Sequence, residues 1–410
     1  MKKLRNSLIW YTLGVIIYSL NSFLFMVIVT RINGLHDAGI FTYSFALCCL
    51  FYFLETYYNR AYQLSKDNKE KVFNDLLSTR VVSSLIGLVI IVLFSIISRF
   101  SLFKIGVIVL LYLYRDIEAL ADTMHGVFHI NNELPVSGKA FLLRTLLTNL
   151  TLIVVDLLTH NIIISIIGMI IINLLIVWLY DYRKFKKISN FKIKLSFKDN
   201  TKKILKESFS IFAFSFLNNM IVNIQRYVLT YYVSTDVESI FGMIIMPATI
   251  MIILSLSIYN PFLNKFKSYQ KDKDYHKMNK LLINIIASLI AIAIVGLIGC
   301  YFLGIPVLEF VYGIELDEYK MLLLTIILAS LFSSIVSVYS PILTLLSKNK
   351  IQLIIHVICV IISLLISWLL IMNNGLSGAV LSYLISLFLF FIMYTIAYII
   401  IIRRLINDKG

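Results

Sequence analysis

Twelve apolar stretches, each close to twenty residues long, recur along the 410-residue chain, and they restrict its fold more than any other feature. A helix rises about 1.5 Å per residue, so a run of about twenty crosses the hydrocarbon core with its backbone hydrogen bonds closed internally. The runs cover residues 8–30, 38–57, 81–98, 105–122, 140–159, 162–180, 208–233, 240–262, 281–304, 321–346, 351–372 and 376–402. Composition agrees: 60% of residues are hydrophobic and 14% charged, where soluble domains have roughly 45–50% and 25%. The sequence therefore predicts an all-α polytopic membrane protein. The first run follows Lys2, Lys3 and Arg5 and imitates a signal peptide. It is about twice as long as such a core and lacks a small-residue cleavage pattern, so it is read as a retained helix.

The distribution of positive charge tests the count independently, because a missed helix would scramble the alternation. With the N-terminus cytoplasmic, 30 of the 37 Lys and Arg fall in cytoplasmic segments and four (Arg31, Arg99, Lys104 and Lys320) in outer ones. Such a bias is the signature of twelve spans with both termini in the cytoplasm. The net charge of +15 then belongs to a membrane face rather than to nucleic-acid binding. Cys48, Cys49, Cys300 and Cys359 all lie in apolar runs and read as small core hydrophobes.

The longest polar segment, 181–207, holds ten of the basic residues. It divides the chain into an N-terminal six-helix lobe (1–180), a basic cytoplasmic linker (181–207) and a C-terminal six-helix lobe (208–410). Each half begins alike, with a basic stretch, a helix from Ser7 or Ser208, then Asp37 or Asp236 before Phe41 or Phe241. This pattern fits a parallel duplication, and equally the common look of membrane hairpins.

Ionisable groups at membrane depth are costly and face a cavity or a partner, which makes them the most informative residues. At about 100° per residue, Arg115, Glu118, Asp122, His125 and His129 share a narrow arc, with Asp116 off it. That stripe reads as the wall of a wet cleft, or as a helix end that leaves the bilayer with its charges solvated or paired. Asn219, Asn223 and Arg226 recur at i, i+4 and i+7 inside the seventh run, with Asn218 and Gln225 beside them. A guanidinium there suits a phosphorylated headgroup, or forms an ion pair with Asp156 or Glu55. Arg144, a turn into the fifth run, is a third cation, facing the same cavity or snorkelling to headgroups. Ser330, Ser333 and Ser337 share a face of the tenth run; Pro341 there, with Pro247 and Asn260-Pro261 in the eighth, marks expected breaks.

Catalytic motifs are absent. Gly138-Lys139 is followed by Ala140 and lacks the upstream glycine of a phosphate-binding loop; no His-Glu-x-x-His or Gly-x-Ser-x-Gly pattern occurs. The longest outer loop, 305–320, is too short for a catalytic domain. The chain is expected to be no enzyme and to use no cofactor, with H+ or Na+ coupling through Glu55, Asp156, Glu118 or Asp122 left open, as is drive by the membrane potential.

Three stretches carry a family resemblance. They are Arg5-Asn6 with Arg31-Ile-Asn-Gly34 through Phe41; Asn59-Arg60-Ala-Tyr62-Gln63-Leu-Ser65-Lys66-Asp67; and Arg115 through Glu118, Asp122 and Gly126 to Ser137-Gly138-Lys139 and Arg144. In these the chain resembles the polysaccharide-repeat flippases (Wzx-type) of the multidrug/oligosaccharidyl-lipid/polysaccharide (MOP) transporter superfamily. Lys66 interrupts the Ser-Asp pair, and His129, Asn131 and Glu133 depart from the pattern, which leaves the sugars open. The resemblance implies two six-helix lobes around a central cavity that alternates between the two sides. It implies a bacterial inner-membrane protein whose cargo is an undecaprenyl-diphosphate-linked oligosaccharide, moved to the outer leaflet beside the polymerase and glycosyltransferase machinery. Arg226, Arg144 and Arg115 with Asn219 and Asn223 would hold diphosphate and glycan, and Glu118, Asp122, Asp156 and Glu55 would gate or couple. The alternatives are a multidrug/cation antiporter of the same plan, a lipid II flippase, or a membrane glycan polymerase or ligase.

Overall fold

The computed structural model describes residues 2–57, 63, 69–195 and 200–407; the side chains of 2–8, 200, 201, 211, 256 and 257 are not among those described. The described residues are helical almost throughout and contain no strand. By contact the chain divides into two compact units, Met1–Phe216 and Leu217–Gly410.

Unit 1 contains α1 (Lys2–Ser19), α2 (Asn21–Asn33), α3 (Leu35–Thr56), α4 (Lys69–Ile97), α5 (Leu102–Ile130), α6 (Leu134–Thr159) and α7 (Ile162–Ile176). A π-turn (Val177–Tyr182) leads from α7 into α8 (Arg183–Ile188). Next, α9 (Asn200–Tyr232) runs on into unit 2. There follow α10 (Thr235–Ile244), α11 (Met246–Tyr259), α12 (Leu263–Lys271), α13 (Tyr275–Gly299), α14 (Ile305–Tyr312), α15 (Lys320–Leu345) and α16 (Asn349–Asn407). Nine helices or helix pairs among the described residues are long and apolar enough to cross a membrane. Neither α5 nor α9 is among the nine, although they run for 29 and 33 residues: polar side chains dilute their apolar character.

Helix α16, 59 residues long, is two arms. Gly375 has φ 53° and ψ −126°, a conformation that costs a residue with a β-carbon. Past it the chain folds back on itself: His356 packs on Phe390 and Tyr394, and Cys359 meets Met393. Residue sums near constant across these pairs are the mark of an antiparallel hairpin. The break at 373–375 is the one expected between the last two apolar runs. Of the other expected breaks, Asn260-Pro261 forms a 3-10 turn (Asn260–Phe262), and Pro247 stands in the first turn of α11. Pro341 lies inside α15, which continues past it. The expected outer loop 305–320 is largely helical, because Ile305–Tyr312 extends the preceding span through a second π-turn.

Packing inverts the pattern of a soluble protein. On α4, Ser83, Ser84 and Ser95 are buried while Leu85, Val89 and Ile97 are exposed. On α16, Ser363, Ser367, Ser382 and Ser386 are buried while Trp368 and Leu369 face out. Lipid is as apolar as leucine, so small residues line the helix contacts, where backbones can approach. The tightest approach in unit 1 is Gly14 of α1 against Gly138 of α6, where a β-carbon on either would overlap the other helix's backbone. Lys139 lies over the Trp10 ring at 5.2 Å beside this crossing. Gly126 of α5 in turn admits the amide of Gln63, which donates to the Thr123 carbonyl at 2.9 Å. Gly126, Gly138 and Gln63 all belong to the resemblance motifs; residues 59–62 and 64–67 of the second motif lie outside the described residues, as do the side chains of Arg5 and Asn6.

Replacing Gly138 with Val should force α1 from α6 at about 1–3 kcal/mol, read as a lower thermal midpoint of the purified protein. Gly299→Ala, where nothing lies within 4 Å of the added carbon, should leave the midpoint unchanged or raise it.

Candidate functional site

A charge inside a membrane helix must find its counter-charge on a neighbouring turn or helix, and α5 shows how. Arg115 reaches back to Glu118 one turn on and donates to the Tyr18 hydroxyl at 2.8 Å. That hydroxyl donates to Glu118 Oε2 at 2.6 Å. The guanidinium lies 4.2 Å from the Tyr52 ring centroid and 5.8 Å from that of Phe45. Residues of α1, α3 and α5 thus close around one ion pair. A turn further on, Asp122 meets Arg80 of α4 at 2.7 Å. Arg80 is almost fully buried and also donates to the Ala119 carbonyl. Asp116 accepts from Ser84 at 2.5 Å.

One of these findings chooses between the alternatives of the sequence reading, and another corrects it. Along the stripe the charges of Arg115, Glu118, Asp122 and His125 are paired, as the reading of a helix end with paired charges has it. Arg115, Glu118 and His125 are buried, and each has a partner within unit 1. Arg80, counted as a cytoplasmic loop residue, sits inside α4, because that helix begins at Lys69 and runs more than two turns before the apolar run starts.

Arg144 of α6 is also paired. Its Nη2 lies 2.8 Å from Asp181 Oδ2, and His125 Nε2 lies 3.2 Å from the other oxygen of the same carboxylate. All three are buried. Asp181 stood in the sequence reading as the first residue of the polar linker. The π-turn Val177–Tyr182, whose hydrogen bonds span one residue more than those of an α-helix, carries it inward instead. Glu118 is within electrostatic reach of Arg144, so the two pairs form one buried charged chain.

Asp156, toward the other end of α6, is buried and accepts at Oδ1 from Asn33 at 3.2 Å and Ser165 at 3.0 Å. Glu55 differs from every other acid named here. It is fully buried on α3, and neither carboxyl oxygen has a hydrogen-bond partner.

In unit 2, Arg226 has a partner that the sequence reading did not name. The turn after α9 returns the chain beside itself, Ser234 caps α10, and Glu238 meets Arg226 Nη1 at 3.2 Å. The counter-ion is neither Asp156 nor Glu55. Asn223 donates to the carbonyl and side-chain oxygen of Asn219 at 3.0 and 3.2 Å, so this pair stays on its own helix. Gln225 beside Arg226 is fully buried with both amide atoms unsatisfied. Arg115 and Arg144 belong to unit 1 and Arg226 to unit 2. Among the described residues, no three His, Cys, Asp or Glu side chains gather as a metal ion would need.

The geometry ranks the three arginines. Arg144 is sealed by a carboxylate that is itself shared with a histidine, whereas the Arg226 bond to Glu238 is longer, at 3.2 Å. Breaking a buried pair leaves an uncompensated charge and costs about 3–5 kcal/mol. Asp181→Ala should therefore deplete folded protein, measured as the monodisperse fraction after purification. The apolar double variant Arg144→Met with Asp181→Leu should restore much of it.

No protein-family model matches the chain. The capsular polysaccharide biosynthesis protein CapF of Staphylococcus aureus is 24% identical over 384 residues, 92% of this chain and 95% of the relative. An inward-facing multidrug-resistance MATE transporter of the MOP superfamily superposes with a TM-score of 0.76 at 12% identity, covering 98% of this chain and 100% of the other. The lipid II flippase MurJ, in an inward closed conformation, superposes with a TM-score of 0.74 at 16% identity, covering 95% and 87%. The chain is an all-α polytopic membrane protein with the fold of the MOP transporters.

Proposed function

We propose that the chain is a flippase that moves a polyprenyl-diphosphate-linked oligosaccharide across the bacterial cytoplasmic membrane, for assembly of a capsule-type surface polysaccharide. The observation that carries this reading is the end-to-end likeness to a capsular polysaccharide biosynthesis protein, on a fold shared with a lipid II flippase. Physical chemistry supports the choice of cargo. A diphosphate and its glycan cannot leave water for hydrocarbon unaided, because desolvating unpaired charge is so unfavourable. A protein that holds guanidinium–carboxylate pairs at membrane depth can exchange the carboxylate for a phosphate without exposing a bare charge. On this reading both termini are cytoplasmic, as the charge distribution requires. The headgroup is held by protein while the polyprenyl tail stays in lipid.

Arg226 is assigned to the diphosphate, because its carboxylate contact is the longest of the arginine pairs described above. Arg144 and Arg115 are assigned to holding unit 1 together rather than to cargo. In a strain deleted for the chain, single lipid-linked repeats should accumulate on the cytoplasmic leaflet; a polymerase defect would leave them outside. In complementation at equal protein level, Arg226→Ala should lower surface polysaccharide roughly tenfold or more, the equivalent of one charge-assisted contact of about 1.5–3 kcal/mol. Normal export by that variant would remove Arg226 from the site. Efflux of a cationic dye with no glycan defect on deletion would replace the whole reading with a drug antiporter.

A further inference from the structure

Each buried acid described above has a donor or a cation except Glu55. Asp122 has Arg80, Asp181 has Arg144 and His125, Glu238 has Arg226, and Asp156 has Asn33 and Ser165. Glu118 has both Arg115 and Tyr18. Glu55 is 0% exposed, and neither of its oxygens meets a donor in good hydrogen-bond geometry, the Tyr112 hydroxyl being the nearest candidate.

The groups around Glu55 define what it can be. From α5, Tyr112, Arg115, Asp116 and Glu118 act on it; Tyr52, a turn earlier on α3, carries the Arg115 guanidinium over its ring. From α4, Ser83 donates to the Glu55 backbone carbonyl at 2.9 Å, and Ser84 is committed to Asp116. The hydroxyl beside Glu55 is that of Tyr112, and its hydrogen goes to the Ser84 carbonyl at 2.7 Å. Gly87 of α4 makes that bond reachable: a β-carbon there would stand 2.5 Å from the Tyr112 oxygen. What Tyr112 turns toward Glu55 is therefore an acceptor, which suits a carboxylic acid and repels a carboxylate.

Charge balance completes the argument. With Asp116 held by Ser84 and Arg144 by Asp181, Arg115, Glu55 and Glu118 are left with one guanidinium for two carboxyls. In a medium that tolerates no net charge, one carboxyl pairs with Arg115 and the other keeps a proton. In this structure Glu118 is the paired one. We propose that Glu55 is a proton-binding site, and that its proton passes to Glu118 when the Arg115 guanidinium turns from Glu118 to Glu55. The exchange conserves charge: Glu55 loses a proton and gains the guanidinium, and Glu118 does the reverse. Where the proton binds does not depend on the cargo.

Infrared difference spectroscopy of the full chain in lipid bilayers, stepped from neutral to mildly alkaline buffer, tests this. The wild type should show the carbonyl band of a protonated carboxyl at neutral pH. The band should vanish in Glu55→Gln and persist in Asp116→Asn. It should also vanish in Glu118→Gln, where Arg115 is released to Glu55. A wild-type spectrum without the band, which needs no variant to fold, overturns the site, as does a band that survives in Glu55→Gln. A band that survives in Glu118→Gln overturns the exchange through Arg115.

Discussion

A charge buried in the membrane has to be matched within reach of its own side chain, and most of what is distinctive in this molecule follows from that. Unit 1 carries at least four acids and three arginines in its interior. The three arginines are matched in Arg115–Glu118, Arg80–Asp122 and Arg144–Asp181–His125. Each pair draws its members from different turns or helices, so each is also a tie. The polar groups act as fasteners for α1, α4, α5, α6 and the end of α7, in a setting where apolar contact between helices is worth little more than contact with lipid.

The fasteners work because the backbones come close. Gly14 against Gly138 sets the crossing of α1 and α6, and Gly126 makes room for Gln63 against α5. Buried serines do the same for the arms of α16, folded back at Gly375. Small residues inside and large apolar ones outside are one design expressed at two scales. They free the helix surfaces for lipid and reserve the interior for hydrogen bonds and ion pairs.

The all-α membrane fold was legible in the chain because hydropathy is a local property that survives without knowledge of tertiary contacts. The break near Gly375 could be read from the gap between the two final runs, and helicity through α5 from the period of its charges. Pairing was not legible. Glu238 lies twelve positions past Arg226 and returns to it only through the turn after α9. Arg80 and Asp181 lay just beyond the apolar runs and were counted with the loops, whereas helix α4 and the π-turn carry both into the interior. The isolation of Glu55 depends on where a single tyrosine hydrogen is spent, which no spacing rule encodes. The exposed apolar faces and the buried acids nonetheless fit one account, the proposal that a fold with its charges paired lends one guanidinium to a phosphorylated headgroup.

Reconstitution tests that account most directly. Purified chain in proteoliposomes loaded with a lipid-linked oligosaccharide should bring the glycan from the inner to the outer leaflet, read as an added fraction cleaved by a membrane-impermeant periodate reagent. The account predicts movement that depends on the diphosphate and stops when a neutral glycolipid with the same sugars is supplied. Equal movement of the neutral lipid, or none of either, would contradict it.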